Sequence, residues 1–341
     1  MILFEEAVIR QLIAHRVTTA ESGATISNSL ITFADDSEAM VLKKLLLKPF
    51  VSHAQTYEFT HDVDMRYNVL FNLSKAIRAG EGFLPKSQEI ARHLMSVSTH
   101  PNIKDGDLFM AKFDDVTLNN RHYEALGIYK FEDKETFVET AADGGGMQVS
   151  FRKGIGSKKP DKACLILFTE EPYTLLVIDS NTNETDYWQH DFIHHCPKKD
   201  HVNSTTNFLT LTKKFITNQV PEDFEVTKAD QIDLLNRSVD YFKKRDTFDK
   251  QEFEEEVFGN SNVIESFRRF DQTYRDEHEM ELDDSFEIAP QAVKKQARVF
   301  KSVLKLDKNF HIYIHGDRQL IEQGTDERGR KYYKIYYEEE S

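Results

Sequence analysis

The chain has only two cysteines in 341 residues, Cys164 and Cys196. Two thiols do not make the disulfide framework of a secreted scaffold. Cys164 also sits inside the apolar run Ala163 to Phe168, where a buried free thiol is expected, so a reducing cytoplasm fits. No stretch approaches the roughly 18 apolar residues that a membrane span needs. The N-terminal MILFEEAVIRQ lacks the basic segment and long apolar core of a secretory signal. Catalytic signatures are missing as well: no HExxH, no paired CxxC, no GxxxxGKS/T, no dinucleotide fingerprint between a strand and a helix, no GxSxG and no kinase set. The pairs Asp114-Asp115 and Asp283-Asp284 are too common a pattern to argue for a two-metal nuclease. An excess of positive charge is lacking too, since 44 Lys and Arg face 58 Asp and Glu, a net charge of −14. Nucleic-acid binding draws much of its affinity from neutralising phosphates. Any contact with DNA must therefore come from a local patch, or pass through another protein.

What is present is the composition of a soluble globular protein, 39% hydrophobic and 30% charged, in one large or two ordinary domains. Residues Ile2 to Val17 fit strand or helix. Asn28 to Phe33 reads as a strand and Asp36 to Leu47 as a helix capped by Asp35 or Asp36. Met65, Val69, Leu73 and Ile77 space an amphipathic helix ending at Gly80, and Pro85 opens another. From Gly106 the texture is β. Leu108 to Phe113, Tyr123 to Phe131, Glu135 to Thr140 and Met147 to Arg152 are strand candidates separated by turns, and the nearly all-apolar Ala163 to Phe168 and Thr174 to Asp179 read as central strands of an antiparallel sheet, because the connections are too short for crossover helices. Beyond Val202 the chain turns helical. Thr227 with Asp230 reads as a capping box, Asp249 with Glu252 as a second N-terminal signal with Phe248 and Phe253 as its staple, and Val263 to Tyr274 as a further helix. Glu277 to Glu287 reads as an acidic loop.

The last segment changes period. Val293, Ala297, Phe300 and Leu304 make one helical stripe, and Lys294, Arg298, Lys301 and Lys305 a cationic stripe beside it, with no Asp or Glu from Gln291 to Leu306. Phe310, Ile312 and Ile314 then alternate with His311, Tyr313 and His315, a strand. A short helical turn over Arg318 to Glu322 is expected to stop at Gly324, and Lys331 to Tyr337 to form a second strand. The expected fold is α+β: a mixed antiparallel sheet with helices over residues 1–202, then a helical region over 203–341 that ends in a strand pair.

The run VKKQARVFKSVLKLDKNFHIYIHG followed by GRKYYKIYY resembles the C-terminal signature of a bacterial nucleoid-associated protein family, the NdpA type. The similarity extends upstream through FEVTKADQIDLLN and more weakly through Thr206 to Gln219. These are marks of ancestry and not of a reaction. The resemblance implies a cytoplasmic, non-catalytic protein of the nucleoid, without cofactor, that binds double-stranded DNA weakly and without sequence preference or associates with DNA-processing proteins.

Four groups of residues stand out. The cationic stripe is either a solvated helix face or a phosphate-contacting one, which would position DNA without reading sequence. The stretch Gly144 to Lys162 is a hairpin tip or a nonspecific phosphate contact supplied by Arg152, Lys153, Lys158, Lys159 and Lys162. His190, Asp191, His194, His195, Cys196 and His201 are all metal-ligand types, but at no defensible spacing, and an edge strand with its loop explains them more plainly. His311, Tyr313 and His315 share a strand face without an obvious nucleophile or carboxylate. Three readings follow: a nucleoid protein that contacts DNA, an oligomeric interaction scaffold whose Tyr-rich strand suits pairing between subunits, and a metal-dependent hydrolase built on the histidine cluster.

Overall fold

The computed structural model describes residues 2–19, 23–51, 55–143, 145–180, 185–278, 280–300, 303–314 and 320–339. The chain forms two compact units, Met1–Lys198 and Lys199–Ser341, and the fold is α+β.

In the first unit β1 (Ile2–Leu3), β2 (Val8–Val17), helix α1 (Asp36–Leu47), β3 (Tyr57–Phe59) and helices α2 (Val69–Arg78) and α3 (Phe83–Val97) come first. β4 (Gly106–Leu118), β5 (Arg121–Phe131), β6 (Glu135–Asp143), β7 (Gly146–Gly154), β8 (Lys162–Leu167), β9 (Thr174–Asp179) and β10 (His195–Pro197) follow. Eight of these strands make one antiparallel sheet in the order β1-β4-β5-β8-β9-β3-β10, with β2 also on β4. Among the described residues, strands β6 and β7 pair only with each other.

The sheet is covered on both faces, and the sequence says why. Cys164 and Ile166 of β8 pack with Leu70, Ile77, Ile90 and Leu94 of α2 and α3. Ala163, Leu165 and Leu167 point the other way, toward Leu46, Leu47 and Phe50. A strand buried on both faces reads as a nearly continuous apolar run instead of alternating. Helix α1 starts where expected, with the Asp35 carboxylate accepting the backbone N–H groups of Ser37 and Glu38. The strand expected over Asn28 to Phe33 does not form. The backbone there attaches to β2 by isolated bonds, Ile31 N–H to Leu12 O at 2.8 Å and Ser27 N–H to His15 Nδ1 at 3.1 Å, and builds no ladder.

The second unit contains α4 (His201–Lys214), α5 (Val220–Asp223), α6 (Lys228–Lys244), β11 (Thr247–Asp249), α7 (Lys250–Phe253), α8 (Ser261–Glu277), β12 (Ser285–Glu287) and α9 (Pro290–Ala297). Two hairpins follow, β13 (Val303–Leu306) with β14 (Phe310–Tyr313) and β15 (Ile321–Thr325) with β16 (Lys331–Ile335). Thr227 and Asp230 form the reciprocal capping box at α6. The core is built from phenyl rings. Phe208 meets Phe242, Phe248, Phe253 and Phe267 at centroid distances of 4.2 to 6.0 Å. Ser285–Glu287, expected in a loop, is a strand because Phe286 stacks on Phe248 at 4.6 Å while its backbone pairs with β11.

Two helical expectations near the C-terminus are overturned. The helix beginning at Pro290 ends at Ala297, and Val303–Leu306 is strand β13. Leu304 is still buried, so the apolar stripe marked what is inside while misjudging the conformation that takes it there. Ile321–Thr325 is likewise a strand and not the end of a helical turn, and Arg318 lies outside the described residues. The expected strand pair is therefore two hairpins, each pairing an expected strand with a stretch read as helix.

Phe208 packs against four rings at the centre of the second unit, so Phe208→Ala leaves a large void. It should destabilise that unit by about 3–5 kcal/mol, read by urea denaturation. A loss below about 1 kcal/mol would show that the phenyl cluster is not its core.

Candidate nucleic-acid interface

Neither unit is basic. Residues 1–198 hold 21 Lys and Arg against 28 Asp and Glu, and residues 199–341 hold 23 against 30, so each carries −7. A surface for an anion has to be local.

The hairpin β13–β14 builds such a surface. Its turn passes through Asp307, whose φ of 52° is the left-handed conformation that Asp tolerates better than most side chains. The register pairs Val303 with Tyr313 and Lys305 with His311 on one face, and Leu304 with Ile312 and Leu306 with Phe310 on the other. Leu304, Leu306 and Ile312 pack with Ala229 and Ile232 of α6. Further along α6, Asn236, Val239, Asp240 and Lys243 recur at helical spacing and face the hairpin, and Asn236 Nδ2 donates to Ile314 O at 3.2 Å. Between them lies a cleft of about 780 Å³, floored by Phe300 and walled by Lys305, His311, Tyr313 and Lys243. Lys243 lies 3.5 Å from Asp240. Among the described residues, Lys294, Lys295, Arg298 and Lys305 have no ion-pair partner.

The cationic stripe read from the sequence is thus not one helical face. Lys294 is exposed on α9, Arg298 caps that helix, Lys305 projects from a strand into the cleft, and Lys301 lies outside the described residues. His311 and Tyr313 share the cleft face as expected, while His315 lies outside the described residues. Lys243 and Lys295 escaped the sequence reading. The signal for Lys243 is the i, i+3, i+4, i+7 face of α6, which carries an Asn and two charges where a purely buried helix face would be apolar.

The second basic group comes apart. Arg152 pairs with Glu139 at 2.6 Å, and Lys158 lies 3.5 Å from Asp161 and 3.9 Å from Asp133. Lys153 is on the opposite face of β7 from Arg152, Lys159 lines a groove beside α1, and Gly144 lies outside the described residues. Lys162 is not a surface cation at all. It is buried and paired with Asp179 at 2.6 Å, as Lys130 is with Glu132 at 2.9 Å, and both ammonium groups lie over the ring of Tyr187.

The histidine cluster is dispersed. His190 is exposed on the turn Trp188–Ile193, and the His194 ring stacks on His61 at 4.8 Å. His195 and Cys196 belong to β10 at the sheet edge, and His201 begins α4. Successive positions of an extended segment point apart, and among the described residues no three His, Cys, Asp or Glu side chains are placed to hold a metal ion.

Both ring nitrogens of His195 are buried without a hydrogen-bond partner among the described residues, and its ring meets Tyr57 edge-on at 4.4 Å. Burial, with the nearby His190 and His194, lowers its pKa from 6.5 to about 4. Burial and then Arg92 bring His15 to about 4 as well. Each is neutral in the fold and free to protonate when unfolded, so the unfolded chain binds the extra proton first as pH falls. The contribution is complete above pH 6.5 and is lost as pH drops toward about 4. His195→Phe should remove part of that slope and leave stability near neutral pH almost unchanged. Denaturant curves at neutral pH and near pH 5 decide it, and an unaltered slope would sink the assignment.

No curated protein matches the chain. A family model described as nucleoid-associated protein YejK matches residues 13–339, spanning both units and nearly the whole sequence. The chain belongs to the nucleoid-associated protein YejK family.

Proposed function

We propose that this nucleoid-associated protein is non-catalytic and touches the DNA backbone directly, weakly and without reading sequence, through Lys305 of the β13–β14 cleft and the cations of helix α9 and its cap. The observation that carries the reading is the set of unneutralised cations there. Several other cations sit beside carboxylates, as Arg152, Lys158, Arg245 and Arg268 do. Lys294, Lys295, Arg298 and Lys305 have none among the described residues. Lysine ammonium groups contact phosphate as point charges, which fixes a duplex in place and carries no sequence information. Tyr313, 65% exposed on the same strand face as Lys305, adds a flat ring that can lie against the sugar-phosphate chain. A site of this kind needs no cofactor, and it agrees with a bacterial, cytoplasmic protein of the nucleoid.

The test is fluorescence anisotropy with two labelled duplexes of unrelated sequence, for the wild type and for Lys294→Ala/Arg298→Ala/Lys305→Ala. Both duplexes should bind alike, with affinity falling steeply between roughly 50 and 200 mM salt. The triple variant should flatten the logarithmic salt slope by about 3, close to one per lost phosphate contact. No retention of either duplex by the wild type at the lowest salt would overturn direct contact, and association with the nucleoid would then run through a protein partner.

A further inference from the structure

The ribbon β6–β7 turns its apolar face to solvent. Its register pairs Val138 with Phe151, Thr140 with Val149 and Ala142 with Met147, all on one face. Val138 is 60%, Met147 68%, Val149 57% and Phe151 72% exposed. The opposite face is the polar one, where Arg152 pairs with Glu139 and the Ser150 hydroxyl donates to the same carboxylate at 3.3 Å. Each strand has nine residues, so the ribbon is about 30 Å long. A two-stranded ribbon is marginal on its own in water, and a contiguous apolar face of this size marks a contact surface.

The same unit carries a groove of apolar lining. It runs between α1 and the root of the ribbon, has a volume of about 720 Å³, and is lined by Val41, Leu42, Leu45, Phe109, Phe137 and Ile155. Val41 is 67% exposed and Met40 64%. The charges among the groove residues are Lys44, Lys48 and Lys159, with no carboxylate, which disfavours a basic peptide as the occupant. Phe137 belongs to both features, since it is the root of the ribbon and part of the groove wall. The ribbon's exposed side chains do not fill the groove of their own chain.

We infer that the groove receives the ribbon of a second copy of this chain, and that the exchange is reciprocal. Area selects this arrangement. The four exposed side chains present roughly 400 Å² of apolar surface. Two ribbons packed face to face would bury only about 800 Å² in total, below a stable protein interface. Two ribbons, each in the other copy's groove, bury two ribbon faces and two groove linings, about 1,200 Å² in total, which reaches the range of a specific interface. The exchange is isologous and closes at two copies, as a twofold dimer requires.

The experiment is sedimentation equilibrium of the full chain over a concentration series, with Phe151→Glu in the ribbon and Val41→Glu in the groove. Both side chains are largely exposed, so circular dichroism and the melting temperature should match the wild type. The wild type should be dimeric, and each variant should weaken the dimer at least tenfold. An equimolar mixture of the two variants should regain dimer beyond either alone, because one ribbon and one groove remain intact and complementary. A monomeric wild type overturns the inference, as does a mixture that recovers nothing. A Val41→Glu protein that pairs like wild type while Phe151→Glu does not also overturns it, because the ribbons then pack on each other.

Discussion

Side chains alternate across a strand, and what each face of a strand meets organises most of this molecule. In the central sheet both faces are covered, so β8 and β9 are apolar throughout and polar groups are confined to their ends, where Lys162 and Asp179 pair. In β13–β14 one face is covered. Leu304 and Ile312 settle on α6, and that packing forces Lys305, His311 and Tyr313 to the other side, into the cleft. In β6–β7 the apolar face is the uncovered one. One rule with three settings separates a core, a polar cleft and an exposed apolar face. A single-residue slip in any of these registers would exchange the two faces.

Electrostatics supplies the second constraint. A chain at −14 resists a polyanion, and neither unit offers a compensating excess. Charge can still be made locally positive if cations are placed where no carboxylate reaches them. Interior cations cannot serve. Lys130 and Lys162 are held by Glu132 and Asp179, and removing either partner would leave an uncompensated buried charge. Exposed pairs such as Arg152 with Glu139 are close to neutral from a distance. Lys294, Lys295, Arg298 and Lys305 around α9 and β13 are among the cations left without such a partner among the described residues, a distinction that comes from sorting cations by partner and not from counting them.

Much of the fold was legible in the sequence. The six strands of the central β stretch, the capping box at Thr227 and the ends of α1 followed from local chemistry that tertiary contacts reinforce. The errors have one source. Val303–Leu306 and Ile321–Thr325 are each hairpin partners of a correctly expected strand, and a partner strand is stabilised by pairing that its own sequence does not display. For Val303–Leu306 the helical spacing of apolar residues was genuine, since Val293, Phe300 and Leu304 are all buried, but burial is shared by both conformations. The site suffered accordingly. Lys305 stood out in the sequence for lying among cations without acids, yet its neighbours in the cleft come from α6, more than sixty residues upstream. Nothing local to either segment announces that contact.

The two proposals, weak backbone contact and pairing of copies, would reinforce each other. A single cleft with a few unpaired cations on an acidic unit yields little affinity at moderate salt, because each contact gains mainly by counterion release. Two copies, joined through their ribbons as proposed, would carry two such clefts. Once the first engages a duplex, the second meets it at an effective concentration fixed by the protein's own dimensions, so avidity rises without any new kind of contact. Sequence indifference survives, since neither cleft gains a group that reads base edges. Salt sensitivity grows, because twice as many phosphates are neutralised in one binding event. A dimer of acidic chains of the proposed kind would then sit on DNA reversibly, held by local cations and restrained by its own net charge.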